Sequence, residues 1–177
     1  MVMIQAVFWV FVVFFALIGA MRGWAKETVA AAGVILALFA IDLLGPTLEG
    51  FFPETATQAQ RFGIKTVIFL VIVFFSYQGP TLAAAATGGK LAAKARAKLQ
   101  DTLLGVVIGT LNGYLIAGTV WFFLQEHGYP FPTLIQTPPG GWESILFAQK
   151  YLPLIVLTPW LPYLLVAFFM FVIVAII

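Results

Sequence analysis

Few side chains in this chain of 177 residues have the types and spacing that catalysis or metal binding requires. The chain has no cysteine and one histidine, which excludes thiolate chemistry, disulfides and histidine-based metal clusters. His127 follows Glu126, but one imidazole beside one carboxylate in a loop rich in Pro and Gly is weak evidence for a site. No nucleophile, base and orienting group occur together. We therefore predict that the protein is not an enzyme and holds no metal or cofactor.

Two aspartates lie at apolar runs and are the acids best placed to do chemistry. Asp42 is near the far end of the second run, where it either reaches the membrane interface or serves as a buried functional acid. Asp101 directly precedes the fourth run, and we expect it to cap that helix or to interact with its positive dipole end. The two acids would lie near opposite membrane faces, too far apart to share a proton or a substrate.

A short polar stretch interrupts the third apolar run at Ser76, Tyr77 and Gln78, before Gly79 and Pro80. Pro80 cannot donate a hydrogen bond to the carbonyl of Ser76, which predicts a kinked or broken helix. Broken helices line binding sites in transporters, so Ser76, Tyr77 and Gln78 are candidate pathway-lining residues. A bend at the membrane interface explains the same pattern.

These residues are carried by a very apolar chain, with a mean hydropathy of +1.05, 62% hydrophobic and 9% charged residues. Such a composition is typical of membrane proteins and leaves no room for a soluble domain. We predict an all-α polytopic integral membrane protein with four core transmembrane helices in a domain over 1–146. The predicted spans are 2–21 (an uncleaved first span), 28–44, 66–86 and 103–124, with a polar link at 22–27 and a loop at 45–60. The hydrophobic segment 151–177 is either a fifth helix kinked near Pro159–Pro162 or an interfacial segment.

The fourth predicted span carries a row of glycines, Gly105, Gly109 and Gly113. Residues four apart lie on one helix face, and glycine lets a second helix backbone come close where lipid removes the hydrophobic driving force. The face could pack on the protein's own helices, on a second copy or on another membrane protein. The row is therefore a candidate helix-packing motif.

Basic residues predict the orientation of the chain in the membrane. Lys90, Lys94 and Lys98 form one stripe of an amphipathic segment over 90–100, which we expect to lie on anionic lipid headgroups. The loops after spans one and three hold six basic residues and those after spans two and four hold three: Arg22, Lys26, Lys90, Lys94, Arg96 and Lys98 against Arg61, Lys65 and Lys150. This bias predicts cytoplasmic basic loops and an N-terminus outside. The net charge of +2 is too small to suggest nucleic acid.

Two motifs together resemble a known family. Arg22-Gly23-Trp24-x-Lys26-Glu27 follows the first span, and Asp101-x-x-Leu104-Gly105-x-x-x-Gly109-x-x-x-Gly113 opens the fourth. In their order and spacing they resemble the CvpA family, the bacterial colicin V production proteins, and 142–146 is similar more loosely. The family-motif residues present here are Arg22, Gly23, Lys26, Glu27 and Asp101. Gln5 replaces an acid common in the family, and Thr102 and Asn112 replace basic residues.

The resemblance implies a bacterial inner-membrane protein linked to colicin V production or export and to envelope homeostasis. It implies no biochemical activity, so a non-catalytic membrane component is the first expectation. A small transporter or channel subunit is the alternative, because the interrupted third span and Asp42 could line a pathway. The expected partners are the lipid bilayer, anionic headgroups, and other membrane proteins or a second copy of the chain.

Overall fold

The computed structural model describes residues 2–86, 95–136 and 150–176, and helices dominate this part of the chain. Four long helices are followed by a short helix, a 3-10 turn and a final helix. The elements are β1 (Val2–Met3), α1 (Ile4–Arg22), α2 (Trp24–Phe51), α3 (Gln58–Ala86), α4 (Ala95–Glu126), β2 (Ile135–Gln136), α5 (Pro153–Leu157), the 3-10 turn Thr158–Trp160 and α6 (Leu161–Ile176). The two short strands pair in parallel, with Val2 opposite Ile135.

Helices α1 to α4 are each long and apolar enough to cross a membrane, and α5–α6 is a shorter apolar unit. This confirms the predicted all-α architecture and indicates a multi-pass membrane protein. Many large apolar side chains are exposed on the bundle, for example Val10, Val13 and Phe74. Lipid solvates such surfaces, so their exposure is expected in a bilayer.

Helix α1 packs antiparallel on α4 through the glycine row. A Cβ atom added at Gly105 would collide with the backbone oxygen of Gly19, and one added at Gly109 would collide with that of Phe15. At Gly113 an added Cβ would lie 2.8 Å from the Cβ of Phe15. The glycine face is thus occupied within the chain by α1, because only glycine permits such close backbone approach.

Helix α2 is longer than the predicted span 28–44 at both ends. It begins at Trp24 because Gly23, with φ of +82°, reverses the chain in a single residue. It continues through Pro46 to Phe51, so the loop predicted over 45–60 is shorter, and the predicted polar link 22–27 is mostly helical. A proline removes one helical hydrogen bond but the flanking turns keep theirs, which allows the helix to continue.

Helix α3 also begins earlier than predicted, at Gln58, and continues through Pro80 to Ala86. Of the two predicted alternatives at Pro80, the break is therefore wrong, and the kink stays a prediction. The guanidinium of Arg22 donates a hydrogen bond of 2.9 Å to the carbonyl of Tyr77, which joins the end of α1 to the part of α3 just before Pro80.

Helix α4 begins at Ala95, which places the second half of the predicted linker 90–100 inside this helix. Lys98 belongs to its first turn, whereas Lys90, Lys94 and the loosely similar 142–146 lie outside the described residues. Asp101 is not at the start of α4, so the prediction that it caps this helix is wrong.

The C-terminal segment is broken by the 3-10 turn Thr158–Trp160. Leu154 and Leu161 on either side of this turn are buried in a core shared with α2, α3 and α4. Helix α6 then runs back along α2, with Leu165 and Phe168 beside Leu36 and Val29. Each of the two apolar helices α5 and α6 is too short to span a bilayer alone.

Candidate functional site

A buried polar cluster lies where α1 ends, and Glu27 is its centre. The Glu27 side chain is fully buried and forms an ion pair with Arg22 (Nη1 to Oε1, 3.1 Å). Its other oxygen, Oε2, accepts hydrogen bonds from Asn112 Nδ2 at 2.9 Å and from the Tyr77 hydroxyl at 3.2 Å. We call Arg22, Glu27, Tyr77 and Asn112 the Glu27 cluster. It joins one residue from each of the four long helices.

Arg22 is held from several directions. Besides the ion pair with Glu27, it donates to the Tyr77 carbonyl, and its guanidinium carbon lies 4.5 Å from the centre of the Tyr77 ring. A planar guanidinium can serve a carboxylate, a carbonyl and an aromatic face at once, which lysine cannot. The arginine therefore fixes the end of α1 against α2 and α3.

Asp101 lies over the turn between α1 and α2 rather than in the Glu27 cluster. Its Oδ1 accepts a hydrogen bond of 3.0 Å from the backbone N–H of Trp24, the first residue of α2. That N–H has no acceptor within its own helix, so Asp101 caps α2 from α4. A Cβ atom at Gly23 would lie 2.5 Å from Asp101 Oδ2, which makes glycine necessary here for space as well as for its positive φ.

All five family-motif residues thus lie at one end of the bundle, and four of them take part in these contacts. The side chain of Lys26, in the first turn of α2, is exposed. Sequence reasoning did not connect Tyr77 or Asn112 with Glu27. Asn112 was identified only as a departure from a family pattern, and its burial opposite Glu27 was not foreseen.

The candidate pathway-lining residues do not share one cavity among the described residues. Tyr77 points into the Glu27 cluster. Ser76 donates to the carbonyl of Ile72 and lies against Gly33 of α2, where a Cβ would collide with it. Gln78 is exposed.

The Glu27 cluster is suited to holding helices together. The carboxylate carries two hydrogen bonds and an ion pair, which is the condition under which a charge is tolerated away from water. Two acceptors of the cluster, Glu27 Oε1 and Asn112 Oδ1, are buried without a hydrogen-bond partner, and Oε1 has the ion pair with Arg22. Across the described ranges no group of three or more His, Asp or Glu side chains is arranged to hold a metal ion.

A second charged cluster lies at the opposite end of the bundle. Lys65 is buried and pairs with Glu49 (2.7 Å) and Glu126 (3.0 Å), and Arg61 pairs with Glu49 (2.6 Å). His127 is buried beside them, with Nδ1 donating to the Phe123 carbonyl at 2.8 Å and Nε2 4.0 Å from Glu49. We call these residues the Glu49 cluster. The adjacent His127 and Glu126 thus belong to one polar network.

A half-open cavity of about 300 Å³ extends from the Glu49 cluster into the bundle. Asp42, Gly45, Pro46 and Glu49 form its α2 wall, with the remaining walls supplied by α3, α4, α5 and the 3-10 turn. Asp42 lies at its deep end, 3.5 Å from the Thr158 hydroxyl. Asp42 lines this space, and its side chain is exposed rather than packed in the core.

The chain was compared with curated proteins, with solved structures and with models of protein families. No curated protein and no solved structure matches the chain. The family described as Colicin V production protein matches residues 4–138, which include α1 to α4 and both motifs. Because that match covers well over half of the chain, the protein belongs to the colicin V production protein family.

Proposed function

We propose that the protein is a non-catalytic component of the bacterial inner membrane that supports colicin V production and envelope homeostasis by packing with other membrane proteins. Membership of the family links the chain to colicin V production. The non-catalytic role is supported by the contacts of the family-motif residues. Arg22, Gly23, Glu27 and Asp101 are all engaged in joining helices.

The proposed orientation has the Glu27 end of the bundle in the cytoplasm and the Glu49 end outside. The excess of basic residues near the Glu27 end supports it. A cysteine at Thr57, in the loop between α2 and α3, tests this orientation, because the chain has no other thiol. An impermeant maleimide should label Thr57→Cys in intact cells, and labelling only after lysis would contradict the orientation.

The non-catalytic role is tested by replacing the buried ion pair with apolar side chains. Arg22→Met combined with Glu27→Leu removes both charges and keeps similar volumes, and such exchanges are often neutral for stability. We expect this double variant to restore colicin V release to a producing strain that lacks its own family member. Release is measured as the inhibition zone on a sensitive strain.

The outcome separates two roles of Glu27. If Glu27 moves protons or contacts a reactant, the double variant will accumulate normally but fail to restore release, which would refute the non-catalytic proposal. Native mass spectrometry of the gently solubilised protein identifies the partners. A complex with other membrane proteins is expected, whereas a bare homo-oligomer with a retained small ligand would favour a transporter or channel subunit.

A further inference from the structure

The segment Tyr151–Trp160 enters the bundle instead of lying on its end. The Tyr114 hydroxyl donates a hydrogen bond to the Tyr151 carbonyl, and Pro153 packs on Gly118. Tyr114 precedes Glu126 by twelve residues, which places this contact about 18 Å from that end of α4. In a hydrocarbon core of roughly 30 Å, this depth is near the middle of the membrane.

The chain returns from this depth to the level of Asp42. Helix α5 leads from Pro153 to Thr158, whose hydroxyl lies 3.5 Å from the Asp42 carboxylate. Irregular backbone at membrane depth is tolerated where it is buried in protein or lines a water-filled space. Leu152 and Pro153 are buried on α4, whereas Thr158 lines the cavity below the Glu49 cluster.

The polar groups in this cavity need water. Asp42 precedes Glu49 by seven residues on α2, about 10 Å deeper along the helix. Within the described ranges its carboxylate has only the long contact with Thr158, and Pro46 has no N–H to donate to the backbone carbonyl of Asp42. An ionisable side chain at such depth faces either a partner or water. A cavity of about 300 Å³ has room for several water molecules.

The residues that line the cavity carry more negative than positive charge. Among the described residues that line it, three carry carboxylates (Asp42, Glu49 and Glu126), and Lys65 is the one cation. Arg61 pairs with Glu49 but does not line the cavity. Even with Arg61 included, three carboxylates face two cations. A narrow space with low-dielectric walls focuses such a field and raises the local concentration of ions of the opposite sign.

We propose that Tyr151–Trp160 is a re-entrant segment that forms one wall of a water-filled vestibule, which opens at the Glu49 end, reaches Asp42 and favours small cations over anions. The vestibule goes beyond the proposed function and depends only on the placement of α1 to α4 across a membrane. It is the part of the protein that a transporter or channel subunit would use.

Cysteine accessibility tests the vestibule, because the natural chain has no cysteine. Thr158→Cys exchanges two side chains of similar volume, and Gly45→Cys fits because a Cβ at Gly45 meets nothing within 4 Å. Val13→Cys, on an exposed apolar face of α1, is the lipid-facing control, and Thr57→Cys is the loop control. Each variant in sealed vesicles is treated with impermeant methanethiosulfonates, one bearing a quaternary ammonium and one a sulfonate.

We expect Thr158→Cys and Gly45→Cys to react from the side that also labels Thr57→Cys, while Val13→Cys does not react. Relative to the loop control, the cationic reagent should be favoured about tenfold in the vestibule. Adding Asp42→Asn should remove most of this preference without blocking the reaction. If the vestibule cysteines are as unreactive as Val13→Cys, the space holds no water. If they react but show no preference for the cationic reagent, the carboxylates do not select cations. Either result would overturn the proposal.

Discussion

Neutralising Glu27 should destabilise the protein strongly, because it leaves Arg22 without the carboxylate that it pairs with. In Glu27→Gln the side chain keeps its shape but loses its charge, so Arg22 faces a neutral amide instead of a carboxylate. Breaking a buried ion pair by removing one partner costs about 3–5 kcal/mol. The Arg22 side chain is 17% exposed, so it can partly reach water, and we expect the lower limit, about 3 kcal/mol.

The expected effect is large enough to measure by thermal unfolding. For a chain of this size a loss of 1 kcal/mol lowers Tm by about 2–4 °C, so Glu27→Gln should lower it by about 6–12 °C. The five tryptophans provide a fluorescence signal in detergent micelles. Glu54→Gln is the matched control, because it makes the same chemical change at an exposed position in the loop after α2.

A double-mutant cycle then isolates the ion pair itself. Combining Arg22→Met with Glu27→Leu should recover most of the stability that either single change loses, because neither charge is then left unpaired. Equal Tm values for Glu27→Gln and Glu54→Gln, or strictly additive losses in the cycle, would refute the view that Glu27 holds the helices through its partners.

Three further predictions concern other contacts. Gly109→Leu should prevent stable accumulation in the membrane, measured by immunoblot, because the leucine side chain would collide with the backbone of α1. Gly63→Leu in α3, where a Cβ meets nothing within 4 Å, should accumulate normally. Equal levels of the two variants would contradict the close packing. Asp101→Ala should lower the free energy of unfolding by about 1 kcal/mol, because the cap of α2 is lost. Asp101→Asn keeps an acceptor and should lower it by less than half of that, as measured by thermal unfolding. A loss as large as that of Asp101→Ala would argue against the cap. A reporter fused at Lys94 should read out in the cytoplasm, and an external signal would reverse the proposed orientation.

Apolar runs along the chain predicted the helical architecture well, because the bilayer places the same requirements on every short stretch of sequence that crosses it. A span must be long, apolar and internally hydrogen-bonded, and each requirement is visible within about twenty consecutive residues. The element ends were predicted less well. Both Pro46 and Pro80 were expected to end or disturb helices, yet α2 and α3 pass through them. Neighbouring helices can stabilise a turn that has lost a hydrogen bond, and such neighbours are not visible in a local window.

The contacts of the polar residues could not be read from the same patterns. Glu27 meets Tyr77 and Asn112, which are 50 and 85 positions away in the chain. Asp101 was expected to cap its own helix but caps α2 instead. Spacing along one helix says which residues share a face, but the partner of that face depends on how the helices are ordered and rotated around one another.

The sequence by itself thus determined that the protein is a helical membrane protein, that one helix carries a glycine face, and that two motifs resemble a family. Only the tertiary structure decided that α1 covers the glycine face, that Glu27 meets residues from the three other long helices, and that Asp42 lines a cavity to which Leu154 and Thr158 contribute. Hydropathy and glycine spacing are properties of short stretches. Partners of buried charges are set by packing, because each charge must find its donors wherever the folded chain brings them.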